Sequence, residues 1–351
     1  MIEKDLSCHV LTIGTDYKPC NGGISVLING YTSFYEKFYF IKSSGPGNKI
    51  IKLLYFVESI VLLISYCIFL KRIKLIHIHS SSFSFLWREK WYVYIGHFFH
   101  KKVILHLHGG TFELVCKSHI RVLQKAFNKV DMVICVSEYM ASIVKKYKLT
   151  NKVHVVFNFI EPSSSEFIHK NEDVVVVSFL GTICKNKGVF DILEMIRQNK
   201  DYLKGKVSFN ICGQGDTPRL MEIINRYNLK DIIEYKGFVS GDEKRRLLGN
   251  TDIYFQPSYF EAFGISILEA MSYGAVIIST NIGGIPEIVD SSVGLLVSPG
   301  DTKEMFSGLK YFIENRKVRN ECSKNAIQKS KKFYVSYTER DIKMLYKKML
   351  N

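Results

Sequence analysis

The chain has 351 residues, 47% of them hydrophobic, and a net charge of +15 from 48 Lys and Arg against 33 Asp and Glu. That length gives two domains of ordinary size, and the eight scattered cysteines, with no C-x-x-C pair, exclude a regular disulfide framework and point to reduced thiols in a cytosol. Glu3, Lys4 and Asp5 precede any apolar run, so the start does not read as a signal peptide, and the chain has neither an internal repeat nor a low-complexity tract.

Charge is unevenly spread. Residues 1–165 hold 21 Lys and Arg against 10 Asp and Glu, a net +11, whereas the remainder holds 27 against 23 and contributes +4. A basic, aromatic-rich half suits an anionic membrane surface, where each nearby cation adds about 1 kcal/mol. An acidic soluble partner is the plainer alternative. Nucleic acid fits poorly, because no recognised binding motif accompanies the charge.

In chain order, a strand Val10–Ile13 runs into Gly14, and Asn21-Gly22-Gly23-Ile24-Ser25 opens a helix. Gly22 and Gly23 let backbone pass close to a ligand, although an ordinary turn uses the same pair. Leu53–Leu70 is apolar over 18 residues but contains Glu58, which leaves 12 uncharged residues from Ser59. A spanning helix needs about 20, so a buried or interface-lying helix is expected. Further strands are predicted at Leu75–His79, Val103–Leu107, Met132–Ser137 and Val153–Phe157. Between the first two lies the aromatic run Phe83–Phe99, with Trp87, Trp91, Tyr92 and Tyr94, suited to interfacial anchoring or to ordinary packing.

His77 with His79, and His106 with His108, each share one face of a strand. Two pairs on separate strands lack the tight ligand spacing of a zinc site, so they read as strand-end polar residues and no essential metal is expected. Pro162 and the serines Ser163 to Ser165 mark the linker, which ends an N-terminal domain at residue 165.

The second half alternates strands and helices. A strand Val174–Leu180 ends in Gly181 and the loop Thr182–Gly188, with a helix from Val189 to about Asn199. Then come the strand Val207–Cys212 with Gly213 and Gly215, the strand Ile233–Tyr235, the helix Gly241–Asn250 and the strand Asp252–Phe255. The helix Gly264–Met271, the strands Ala275–Thr280 and Gly294–Val297, and a last helix Val335–Leu350 complete the series. Such alternation predicts a parallel, doubly wound α/β sheet, which binds ligands at the carboxyl ends of its strands.

Two such ends carry chemistry. Lys187 lies in the loop after the first strand. Glu261 and Glu269, with seven residues between them, bracket Phe263, Gly264, Ile265 and Ser266. The first backbone N–H groups of that helix have no partner inside it and form an anion site. Glu269, in its second turn, can accept a pair of hydroxyls. Anion cradle, hydroxyl-binding carboxylate and second carboxylate suit a nucleoside-diphosphate sugar.

This arrangement, with Pro257-Ser258 before it and Glu269-Ala270-Met271 closing it, resembles the donor site of the retaining glycosyltransferases of family 4, which have the GT-B fold. The resemblance implies two Rossmann-like doubly wound domains facing a cleft: residues 1–165 for the acceptor, 166–334 for the nucleotide sugar, and a helix in 335–351 crossing back. It implies that Glu269 binds the ribose hydroxyls, that Glu261 faces the transferred sugar, and that the backbone of Phe263, Gly264, Ile265 and Ser266 contacts phosphates and sugar. The family has Gly-Arg near Gly181 and Lys-Gly at the loop end. Lys187-Gly188 matches, whereas Thr182 stands where Arg is usual, with Lys185 able to share the diphosphate. Gly22 and Gly23 resemble its first glycine-rich loop, across the cleft from the donor phosphates. Gly213 could approach the base, and a plain turn accounts for it equally. His108, in His108-Gly109-Gly110-Thr111, matches an active-site histidine that touches the donor sugar and aligns the acceptor.

The implied activity is transfer of a hexose or N-acetylhexosamine, with retention, from a nucleotide-diphosphate sugar, UDP-linked by expectation, to a saccharide or lipid-linked saccharide. The departing phosphate oxygen takes the acceptor proton, with His108, Glu261 and Lys187 as the catalytic set and no tightly bound cofactor or metal. The setting expected is surface-polysaccharide assembly, such as lipopolysaccharide O-antigen, by an enzyme peripheral to the cytoplasmic face of the inner membrane. Alternatives are an inactive donor-binding scaffold subunit, or a sugar phosphorylase or nucleotide-sugar epimerase on the same fold.

Overall fold

Short Val-, Ile- and Leu-rich runs can be buried on both faces only in parallel sheets covered by helices. The computed structural model describes residues 1–18, 23–163 and 174–351. It divides into two compact units, Met1–Phe159 with Val335–Asn351, and Ile160–Tyr334. The first unit thus ends ahead of the expected residue 165. Gly22, Ser164 and Ser165 lie outside the described residues.

The first unit has the strands β1 (Val10–Thr15), β2 (Tyr39–Ser44), β3 (Leu75–Ser80), β4 (Lys102–Leu107), β5 (Met132–Cys135) and β6 (Val153–Val155). Their order, β2-β1-β3-β4-β5-β6, reverses direction between β1 and β3. β2 is an addition to the predicted set; it is an edge strand with mixed burial and pairs with β1 alone. β5 stops short of the predicted Ser137, whose hydroxyl accepts from the Met140 N–H and caps the next helix. Val335–Leu350 belongs to this unit, where the buried Tyr346 hydroxyl meets that of Tyr35 at 2.7 Å.

The apolar stretch near Leu53 forms one helix, Lys49–Phe69, capped by the Asn48 side chain. Of the two expectations, a buried or an interface-lying helix, burial is corrected here. Ser59, Leu63 and Cys67 are its buried residues, and most of its large apolar side chains face outward.

The second unit has β7 (Val175–Leu180), β8 (Val207–Cys212), β9 (Ile233–Gly237), β10 (Ile253–Gln256), β11 (Val276–Thr280) and β12 (Gly294–Val297), in the order β12-β11-β10-β7-β8-β9. The chain winds outward from β7 to β9, then restarts on the other side of β7 at β10. Phe179, Phe209, Phe255 and Ile278 fill the core beneath the helices Val189–Gln198 and Thr302–Glu314. Each such side chain, fully buried, contributes about 1.5–3 kcal/mol.

Pairing of β3 with β4 sets His79 opposite His106 and stacks four histidines on one face of the first sheet. His77 Nε2 lies 3.2 Å from His106 Nδ1, and His79 Nδ1 lies 2.9 Å from His108 Nε2. Each contact needs one protonated and one bare nitrogen, so the accepting ring is neutral. Burial holds all four imidazolium forms down, His77 and His108 to about 3, with His79 and His106 also well below the usual range.

A histidine neutral when folded, but titrating near 6.5 when unfolded, contributes stability above pH 6.5 that is lost as pH falls toward the depressed folded value. We expect each histidine to remove roughly 1.4 kcal/mol per pH unit below 6.5. Urea titrations between pH 7 and 5, read by Trp87 and Trp91, follow this unit, and a flat profile would rule the account out.

Candidate active site

The second unit's reversal point lies between β7 and β10, the position at which open α/β sheets bind ligands. The loop after β7 carries Gly181, Thr182 and Lys187, and the loop after β10 carries Glu261. They are fastened together. The Tyr259 N–H donates to the Asn186 carbonyl at 2.8 Å. Gly188, at φ +72, passes so close to Pro257 that a Cβ would sit 2.0 Å from its carbonyl oxygen. Any larger residue there would push Lys187 away from Glu261.

Those two side chains meet. Lys187 Nζ lies 2.6 Å from Glu261 Oε2, with both groups partly shielded from water. Glu261 Oε2 also accepts from Gln256 Nε2 at 3.2 Å. Gln256 is buried at the end of β10, and its Oε1 accepts from the Ser266 hydroxyl at 2.6 Å. The Tyr254 hydroxyl lies 2.9 Å from the same oxygen and 3.0 Å from the Leu180 carbonyl. One carboxamide therefore joins β10, the Glu261 loop and the first turn of the helix Ile265–Ser272.

That helix begins after Gly264, and its first internal bonds run from the Ile267 and Leu268 N–H groups to the Gly264 carbonyl. The N–H groups of Ile265 and Ser266 precede them. From Glu261 to Thr280, Glu261, Ile265, Ser266 and Glu269 are the residues not buried. All four lie on one open stripe. Phe263 is buried and packs edge-on against Phe333, so its side chain belongs to the core. Glu269 Oε1 lies 2.5 Å from Lys244 Nζ, which projects from the helix Gly241–Gly249.

Lys244 and Gln256 were absent from the sequence-derived site. The basic run Lys244-Arg245-Arg246 was the available signal for the first. Gln256, a lone amide at a strand end, gave none.

Thr182 and Lys185 are exposed in the same loop. Gly213, at φ +146, lies against Gly181, where a Cβ would sit 1.8 Å from the Gly181 carbonyl oxygen. Close packing of strand ends is therefore sufficient reason for that glycine.

In the first unit, Gly23 opens the helix Gly23–Thr32 after β1. His108 follows β4, half-buried, with its N–H bonded to the Ser80 carbonyl. Ring nitrogens of His77, His79 and His106 lie within 4.8 Å of one another. Strand pairing thus supplies the proximity that chain spacing seemed to deny, and the spacing argument against a metal is corrected. Ring orientation argues differently. A tetrahedral ion needs ring nitrogens that converge on it, whereas His77 over His79 and His106 over His108 stack at 4.4 and 4.2 Å between centroids, with their planes 25° and 31° apart.

Replacing Gln256 by Leu should leave Glu261 and Ser266 short of a partner and cost the second unit about 1–3 kcal/mol, the penalty for a buried polar group left unpaired. Urea unfolding followed by circular dichroism checks this, and an unchanged midpoint would mean that the network relaxes without its hub.

Comparison with known proteins adds the family. Residues 161–329 match the family described as glycosyl transferases group 1, and residues 32–164 match glycosyltransferase family 4. An uncharacterized glycosyltransferase of Methanocaldococcus jannaschii is 26% identical over 250 residues, 70% of this chain and 68% of its own length. A protein encoded in the cps region of Klebsiella pneumoniae is 24% identical over 295 residues, 78% of this chain and 80% of its own. The gpi3 subunit of the Schizosaccharomyces pombe phosphatidylinositol N-acetylglucosaminyltransferase is 29% identical over 187 residues, 51% of this chain, and the match spans only 40% of that subunit. Among solved structures, Anabaena HepE in complex with UDP and glucose superposes with a TM-score of 0.73 at 16% identity, covering 95% of this chain and 98% of that one. Each half of the chain matches a glycosyltransferase family model, and the protein belongs to the group 1, family 4 glycosyltransferases of GT-B fold.

Proposed function

We propose that the protein is a retaining glycosyltransferase that moves a hexose or N-acetylhexosamine from a UDP-linked donor to a lipid-linked saccharide, on the cytoplasmic face of the inner membrane, in surface-polysaccharide assembly. The observation that carries the reading is the open stripe of Glu261, Ile265, Ser266 and Glu269 on an otherwise buried motif, at a sheet reversal point. UDP and glucose bound to HepE support the donor, and the cps-region relative supports polysaccharide assembly. The phosphatidylinositol named for the fission-yeast enzyme supports a lipid acceptor.

In this reading the Ile265 and Ser266 N–H groups receive the diphosphate, where a helix N-terminus favours negative charge. The Lys187 ammonium has three N–H donors, so it can hold Glu261 and still meet a phosphate oxygen. Glu269 accepts the ribose hydroxyls, while Lys244 orients its carboxylate. His108 aligns the acceptor with the sugar. Attack comes from the face that the diphosphate leaves, whose oxygen takes the acceptor proton, so catalysis is positioning and charge stabilisation. No tightly bound cofactor or essential metal takes part.

One observation favours an inactive donor-binding subunit, namely exposed Thr182 in place of the family's Arg. Turnover with any lipid-linked acceptor decides between the two.

Two substitutions test the assigned roles. Glu269→Ala should weaken UDP binding by roughly 1.5–3 kcal/mol, the range for hydrogen bonds to a charged group, and calorimetry of the folded variant measures it directly. Unchanged affinity removes Glu269 from the site. His108→Ala should lower kcat by more than it lowers donor affinity, because a group that aligns reactants acts mainly in the transition state. Equal losses would make it a binding residue.

A further inference from the structure

A helix laid on a sheet ordinarily buries its apolar stripe and exposes its polar one. The helix Lys49–Phe69 is built the other way round. Small Ser59 and Cys67, with Leu63, face the protein, and the Ser59 hydroxyl is engaged with that of Tyr92 at 2.6 Å. Ile50, Leu54, Val57, Val61 and Ile68 are 47–69% exposed and share one helical stripe. An 18-residue window of the helix has a mean hydropathy of 2.0, and at 1.5 Å per residue its stripe is about 30 Å long.

The surroundings continue the pattern. Phe56 joins the helix to the neighbouring aromatics, its ring 5.6 Å from that of Trp87. Trp87 and Trp91 are 43% and 47% exposed, and Lys90 lies over the Trp91 ring. Exposed Lys49 and Lys52 open the helix, and exposed Lys71 and Arg72 follow it. Apolar centre, tryptophans beside it and cations at both ends follow the order of an anionic bilayer from acyl chains to headgroups.

We propose that this face inserts into the membrane, with the helix lying in the plane of the leaflet and its apolar stripe among the acyl chains. The inference deepens the proposed membrane location, because it replaces attraction by charge alone with apolar insertion. A span is not open to this helix. β2 and β3, at its two ends, both pair with β1 in one sheet, so it stays against that sheet. A second copy is a poor occupant as well. Both ends are cationic, so either orientation of two helices sets like charges together, whereas anionic lipid neutralises them.

The chain's only two tryptophans, Trp87 and Trp91, lie on this face, so intrinsic fluorescence reports it without a label. The full-length protein is mixed with phosphatidylcholine vesicles containing phosphatidylglycerol, and with vesicles lacking it. Insertion predicts a blue shift, quenching by lipids brominated along the acyl chain, and a bound fraction that changes less than twofold when salt is raised to 1 M after binding, where charge is screened within about 3 Å. Leu54→Glu with Val61→Glu and Ile68→Glu should cut binding at least tenfold without changing UDP affinity, which reports the other unit. Complete release at 1 M salt, or binding without quenching, overturns the inference in favour of charge alone. Absence of vesicle binding, with or without a dimer that shields the tryptophans, overturns it outright. UDP binding that survives such a failure leaves the donor reading intact, and loss of UDP binding with insertion preserved does the reverse.

Discussion

The buried carboxamide of Gln256 is the interaction on which the candidate site depends. Its amide donates toward Glu261 and, at 3.4 Å, toward Ser258, while its oxygen receives Ser266 and faces the Tyr254 hydroxyl. A glutamine has two N–H donors and two acceptor positions, and here all four have a neighbour. Such a group is stable only if every partner keeps its place, because an unpaired buried amide is costly. Its backbone carbonyl also accepts from the Ser279 hydroxyl, which ties β10 to β11. Positions of Glu261, of the first turn at Ser266 and of two central strands are thus coupled. Two carboxylates and a helix N-terminus can then be held ready for a charged ligand without a reorganisation that would cost binding energy.

The two units solve the same topological problem with opposite electrostatics. Each sheet reverses direction once, between β1 and β3 or between β7 and β10, and each therefore offers strand ends to a ligand. In the second unit those ends hold the ion pairs Lys187–Glu261 and Lys244–Glu269. In the first, β3 and β4 end in imidazoles kept neutral by burial. A neutral donor or acceptor close to a sugar orients hydroxyls without competing for the diphosphate.

What was legible in the sequence followed from local rules, and what was not followed from neighbours brought in by folding. The strands Val207–Cys212 and Gly294–Val297 and the helix Val335–Leu350 were predicted with the bounds observed, since apolar runs flanked by glycine or polar residues carry their own boundaries. The helix Ile265–Ser272, expected at Gly264–Met271, was legible for the same reason. β2 escaped because Tyr39–Ser44 is an edge strand, half-buried and without clean alternation. Lys244 meets Glu269 across 25 residues of chain, and no periodicity registers such a contact. Histidines on β3 and β4 looked unrelated until the strand register set them opposite one another.

Hydropathy misled most over Lys49–Phe69, and the reason is general. An apolar segment states a need to leave water and does not name the neighbour that satisfies it. Length and Glu58 argued against a span, which left a buried or an interface-lying helix as the expectation. Yet a crossover between β2 and β3 already has what it needs from the sheet: small Ser59 and Cys67, with Leu63 between them, are the residues it buries. Close packing of small residues on one side frees the large ones for the other. Because the exposed stripe runs along the helix with cations beyond each end, a flat anionic surface suits the stripe and the cations together. A globular partner would have to match its curvature as well as its charge.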